Sequence, residues 1–80
     1  MTYKEAITKF LENPTDSVIY RNMKTEHKGN ASFYYIHDIL MAILIGRTIF
    51  INNEKPSITI SKHINYLESE AERLGYSVRI

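Results

Sequence analysis

The run FYYIHDILMAILIGRTIFIN, residues 33–52, constrains this chain more than any other stretch, because its apolar surface must be sheltered by lipid, by helices or by neighbouring strands. Lipid is the poorest fit. A spanning helix needs about 20 consecutive apolar residues, yet His37, Asp38 and Arg47 interrupt the run and leave only Ile39 to Gly46 without an ionisable group. Each charge placed in hydrocarbon costs about 3 kcal/mol on insertion scales, so Asp38 and Arg47 cancel most of what the flanking Ile and Leu side chains would gain. No membrane span is expected.

Composition arbitrates between helix and strand. Ser32-Phe33-Tyr34-Tyr35-Ile36 is rich in aromatics and Thr48-Ile49-Phe50-Ile51 in β-branched and aromatic residues, both suited to a pleated surface. The middle piece, Ile39 to Ile45, holds Leu, Met and Ala, which are good helix formers, behind an Asp38 of the type that caps helices. Its exit, Ile45-Gly46-Arg47-Thr48, is a short glycine-containing turn between apolar runs and signals a hairpin instead. The balance favours a three-strand meander near 32–37, 39–45 and 48–52.

The flanks carry helical periodicity. Thr2 and Glu5 have capping-box spacing, and Tyr3, Ala6, Ile7, Phe10 and Leu11 fall on one face until Asn13-Pro14 ends the pattern, which predicts a helix over 2–12. Ser17-Val18-Ile19-Tyr20, within 16–23, reads as a short strand, and the polar segment Lys24 to Asn30 as a loop. After Asn52-Asn53-Glu54-Lys55-Pro56 a second helix is expected, with Thr59 or Ser61 as N-cap and Ile60, Ile64, Leu67, Ala71 and Leu74 on its apolar face. Gly75 stands where a left-handed C′ residue would end it, with Tyr76 reaching back to Ala71. Tyr76, Val78 and Ile80 then alternate with polar residues, as an edge strand does. The expected order is α-β-β-β-β-α-β: a single α+β domain over residues 1–80, built as a small antiparallel sheet with two amphipathic helices.

Eighty residues, 44% of them hydrophobic and 24% charged, make one core. A domain this small buries about 60% of the surface its unfolded chain exposes, so its stability is thin and a partner is a reasonable supplement. The absence of cysteine excludes a disulfide framework, a thiolate zinc site and a cysteine nucleophile, and fits a reducing compartment. A net charge of +1 and a pI near 8.0 argue against an acidic nucleic-acid mimic and against a concentrated basic face. The opening MTYKEAITKF lacks the apolar core of a secretory signal, so a cytoplasmic location is expected.

Little in the sequence points to chemistry. None of the three histidines has a ligand-type partner at the i,i+4 spacing of a helical metal site. The neighbours His37-Asp38 and Glu26-His27 would point to opposite faces of a strand, and Ser61 and His63 are two apart on a helix, where side chains do not meet. Ser57-Ile58-Thr59-Ile60-Ser61-Lys62-His63 has the hydroxyls and the lysine of a phosphate cradle, but helix capping accounts for them more simply. Neither an enzyme, a metal nor a cofactor is expected. Glu68, Ser69 and Glu72, with Glu70 beside them, form an outward acidic strip of the kind that keeps a helix solvated.

Tyrosine supplies six of the nine aromatics, and it is enriched at binding surfaces because it buries area at low entropic cost. Tyr20, Tyr34, Tyr35 and Tyr66 are therefore the candidate partner-binding residues. Tyr34 and Tyr35 are adjacent on a strand, so one faces away from whatever the other covers. If both helices lie on one face, that tyrosine and alternate residues of 39–45 stand open, as the interface of a homodimer or the docking site of another protein. The rival reading is a nucleic-acid-binding regulator using Arg21, Lys24, Lys28, Arg47 and Lys62.

One resemblance adds a setting. Thr48-Ile49-Phe50-Ile51-Asn52 and Ser57-Ile58-Thr59-Ile60-Ser61-Lys62-His63, a strand, an Asn, a short turn and a Ser/Thr-rich helix entry, resemble a family of small, mostly phage-encoded proteins of unassigned function, over Ala31 to about Leu67. The resemblance implies a viral accessory protein in the host cytoplasm that binds a host protein, such as a defence nuclease complex, with inhibition of a CRISPR system as its concrete form.

Overall fold

Residues 19–51 fold as a meander because each strand ends in a two-residue turn: Arg21-Asn22, Gly29-Asn30, His37-Asp38 and Gly46-Arg47 each separate directly paired residues. Such tight turns match the twist of the flanking strands only with left-handed backbone, and Gly46 supplies it at φ 59° without a Cβ penalty. At 37–38 both residues adopt it, at φ 51° and 63°; His and Asp are among the side chains that tolerate this region best.

The computed structural model describes residues 1–52 and 58–80. Within them the order is α1 (Tyr3–Glu12), β1 (Ile19–Tyr20), β2 (Met23–Lys28), β3 (Ala31–Ile36), β4 (Ile39–Ile45), β5 (Thr48–Ile51), α2 (Ile58–Arg73) and β6 (Ser77–Arg79). The strands form one six-stranded sheet in chain order, antiparallel except where β6 pairs in parallel with β5 after the α2 crossover. Both edges are short, with two residues in β1 and three in β6. The fold is α+β, as expected, with one more strand than the sequence reading.

That extra strand is β2, where the sequence suggested a polar loop over 24–30. Its outward residues are Lys24, Glu26 and Lys28, and its inward ones after Met23 are polar too. The Thr25 hydroxyl accepts a hydrogen bond from the Val18 N–H at 2.8 Å, and His27 Nδ1 lies 2.8 Å from the Ser32 hydroxyl, which donates to the Pro14 carbonyl. These groups hold the 13–18 connection over the sheet, so hydrophobic alternation was never visible. The short strand expected within 16–23 shrinks to Ile19–Tyr20.

Both helices pack on the same side of the sheet. On α1, Ala6, Ile7, Phe10 and Leu11 are buried, with the Phe10 ring 5.7 Å from that of Tyr34; on α2, Ile64, Leu67 and Ala71 are buried. Thr2 caps α1, its hydroxyl accepting from the Glu5 N–H at 3.2 Å. Because α2 already runs at Ile58, Thr59 and Ser61 lie inside its first turns and are not its N-cap; Ser57 and the rest of 53–57 fall outside the described residues. The other end is the expected Schellman motif: Gly75 at φ 87°, its N–H bonded to Glu72 O at 3.1 Å and the Tyr76 N–H to Ala71 O at 2.9 Å. The Tyr76 hydroxyl also donates to Leu11 O at 2.5 Å, serving a carbonyl at the end of α1.

Arg47 locks the β4–β5 turn onto this motif. Its guanidinium donates to Leu74 O at 2.6 Å and stacks on the Tyr76 ring at 4.3 Å, while its carbonyl accepts from the Ser77 N–H at 2.8 Å. Arg47→Ala is expected to lower stability by about 1–2 kcal/mol, read as a reduced urea midpoint with an unchanged slope; a midpoint equal to wild type would rule this role out.

Candidate functional site

Strand alternation divides β2–β6 into two faces of different fate. On the helix side lie Met23, Thr25, Ser32, Tyr34, Ile36, Ala42, Leu44, Ile49 and Ile51, all buried. On the other side, cross-strand pairing aligns Glu26, Phe33, Ile43, Phe50 and Arg79 in one row, with Lys24, Tyr35 and Leu40 above it and Lys28, Ala31, Ile45, Thr48 and Ser77 below. No described element covers this second face. Phe50 is 47% and Ile45 42% exposed, and Phe33, Tyr35, Leu40 and Ile43 are half-buried.

A bulge in β4 shapes the patch. Tyr34 pairs with Ala42 but Tyr35 with Leu40, so Met41 is an extra residue. Both Met41 and Ala42 turn into the core, and Leu40, which strict alternation would place inside, comes out beside Tyr35. The bulge carbonyls are satisfied by Asn52, whose backbone N–H bonds Met41 O at 2.8 Å and whose side-chain amide bonds Leu40 O at 3.3 Å. Leu40, Ile43 and Phe50 line a shallow apolar depression there.

The rim is charged. Glu26 sits between Lys24 and Lys28 at 3.5 and 3.7 Å, and the Lys24 ammonium stands over the Tyr35 ring at 5.2 Å and 3.9 Å from Asp38. Arg79 closes the opposite end of the central row. The central row thus spans about 19 Å, four strand spacings, apolar over β3, β4 and β5 with a carboxylate at one end and a guanidinium at the other.

Of the four tyrosines singled out in the sequence, Tyr35 alone is on this face. Tyr34 is the neighbour that turns inward; it is wholly buried and unavailable to a partner. Its hydroxyl has no hydrogen-bond partner among the described residues, and burial pushes its pKa well above the ordinary range. Tyr20 is on the helix side, its ring edge-on to Tyr3 at 5.0 Å and its hydroxyl donating to Met1 O at 2.6 Å. Tyr66 lies on α2, donating to Glu70 at 2.9 Å beneath the Lys4 ammonium. Glu70, which the sequence placed beside an outward acidic strip, is buried and also paired with Arg73; burial favours its neutral form, but the bonds from Tyr66 and Arg73 outweigh that and hold its pKa below the usual range. Alternation alone would have added Phe33, which shares Tyr35's parity, and Phe50, which is flanked by the buried Ile49 and Ile51.

The five cations of the rival reading are not brought together. Lys24 and Lys28 share Glu26, Arg21 lies 5.5 Å from the Tyr20 ring in a turn at φ 53°, and Arg47 is committed to Leu74. Lys62 projects from the helix layer, where it lines a cleft with Tyr3, Lys4, Ile7, His63 and Tyr66. Among the described residues no group of His, Asp and Glu side chains is placed to hold a metal ion, and no helix is long and apolar enough to cross a membrane.

His63, at the floor of that cleft, is buried edge-on to Tyr3 at 4.3 Å, with Nδ1 unpartnered among the described residues. Burial, aided by His37, lowers its pKa from the ordinary 6.5. The unfolded chain therefore takes up the proton first as pH falls: His63 contributes fully above pH 6.5 and its contribution is lost progressively below. The melting temperature should drop on acidification through this window, and by less in His63→Gln; parallel curves would exclude the effect. Tyr34→Phe removes an unpaired buried hydroxyl, so urea titration should find it neutral or more stable by up to about 1 kcal/mol, whereas a marked loss would reveal a missed partner.

No family model matches the chain, and no curated protein or solved structure matches it either.

Proposed function

We propose that this protein acts by protein–protein contact, using the open sheet face as its docking surface. The observation that carries the reading is the row Phe33, Ile43, Phe50 with Tyr35, Leu40 and Ile45: large apolar side chains contiguous across three strands, outside the cover of either helix. Contiguous exposed apolar surface of this kind marks interaction sites, and an aromatic-rich centre with a charged rim is the usual anatomy of one. The setting implied by the phage resemblance is that of an accessory factor that binds and inhibits a host protein, a defence nuclease complex being the concrete case.

A photo-crosslinking residue at Phe50, compared with one at Lys62 on the helix layer, tests the reading in the producing cell. Adducts to another protein should form from position 50, and Ile43→Glu should abolish them while the protomer still melts as wild type does. Equal labelling from both positions, or capture indifferent to Ile43→Glu, would count against it. The nucleic-acid alternative is read separately: phosphate binding must weaken steeply as salt rises, and the scatter of Arg21, Lys24, Lys28, Arg47 and Lys62 gives it no shared surface.

A further inference from the structure

The central row of the open face is self-complementary. Reading across the sheet it runs Glu26, Phe33, Ile43, Phe50, Arg79, with Ile43 in the middle, an aromatic one strand away on each side, and at the ends a carboxylate, held between Lys24 and Lys28, and a guanidinium. We infer that, when no other protein occupies it, this face is closed by a second copy of the chain, related by a twofold axis that runs along the strands and passes over Ile43. The inference rests on the open face being a contact surface, and it adds the occupant and the register.

Such an axis exchanges left and right. Ile43 meets its own counterpart, Phe33 meets Phe50 of the other copy, and Glu26 meets Arg79, each contact occurring twice, as an isologous interface requires. The competing axis, across the strands, places the Lys24-Glu26-Lys28 edge against its own copy and brings like charges together. Packed sheets lie about 10 Å apart and cross at about 30°; at the ends of the row that rotation displaces the partners by about 5 Å, within the reach of Glu and Arg side chains. The face measures about 19 Å across and up to about 20 Å along its longest strands, so the pair buries about 800 Å², below the extent of a stable specific interface. The dimer is accordingly weak and reversible, which leaves the face available to a tighter-binding protein.

Sedimentation velocity over a concentration series tests it through charge reversal. Wild type should self-associate, and Glu26→Arg and Arg79→Glu should each weaken association by about tenfold or more, since each sets like charges opposite one another. An equimolar mixture of the two variants should recover association, as should the double variant, because both restore opposite charges across the axis. If a reversal unfolds the protomer, Glu26→Gln and Arg79→Gln give the same reading without repulsion, each weakening association at unchanged melting temperature. A wild type that stays monomeric throughout, single variants that associate like wild type, or a mixture that fails to recover overturns the inference. Failure here is separable from failure of the docking reading: a monomeric wild type that still cross-links another protein from position 50 leaves the contact surface standing with a different occupant.

Discussion

Everything in this fold follows from the two-residue period of the pleat acting on strands that are apolar on both sides. In β3 and β5, and in β4 apart from the Met41–Ala42 bulge, each side chain turned toward the helices is followed by one turned away, and both sets contain Ile, Leu, Phe or Tyr. A hairpin-built sheet needs only one covered side, and α1 and α2 supply one. A fully buried side chain of this size is worth about 1.5–3 kcal/mol relative to an exposed one, so the six groups of the open face, two exposed and four half-buried, leave part of that burial for a contact to complete.

The covered side shows how a small domain uses polar groups to save helices. Thr25 and Ser32, the latter bonded in turn to His27, sit on the inner face and bind the 13–18 connection, making a loop do the sheltering of an element. Arg47 and Tyr76 join the far turn, the end of α2 and the end of α1 through backbone carbonyls that would otherwise lack partners. The same economy leaves the Tyr34 hydroxyl and His63 Nδ1 buried without partners among the described residues.

What was legible in the sequence was whatever has a local signature. Thr2 with Glu5, the Gly75 stop and the Gly46 turn each depend on a few neighbouring residues, and all appear where their spacing placed them. β2 was illegible because its inward positions are polar for a tertiary reason, the loop they hold, which no window of sequence contains. The site was half legible: adjacency required that one of Tyr34 and Tyr35 face out, but the choice depends on register across the sheet. The Met41 bulge shifted the parity of β4 at Leu40, which simple alternation assigns to the core. Counting tyrosines also drew attention to Tyr20 and Tyr66, whose hydroxyls serve local bonds, and away from Phe33 and Phe50.

The brevity of the outermost strands has a consequence for how the molecule meets others. A sheet with long bare margins invites lateral addition of further strands and growth into fibrils. Here two residues at one margin and three at the other offer too few free backbone groups to template a neighbour. Approach is thereby steered broadside, so that recognition is governed by side-chain shape and charge, which discriminate among visitors, and not by main-chain pairing, which accepts almost any extended peptide.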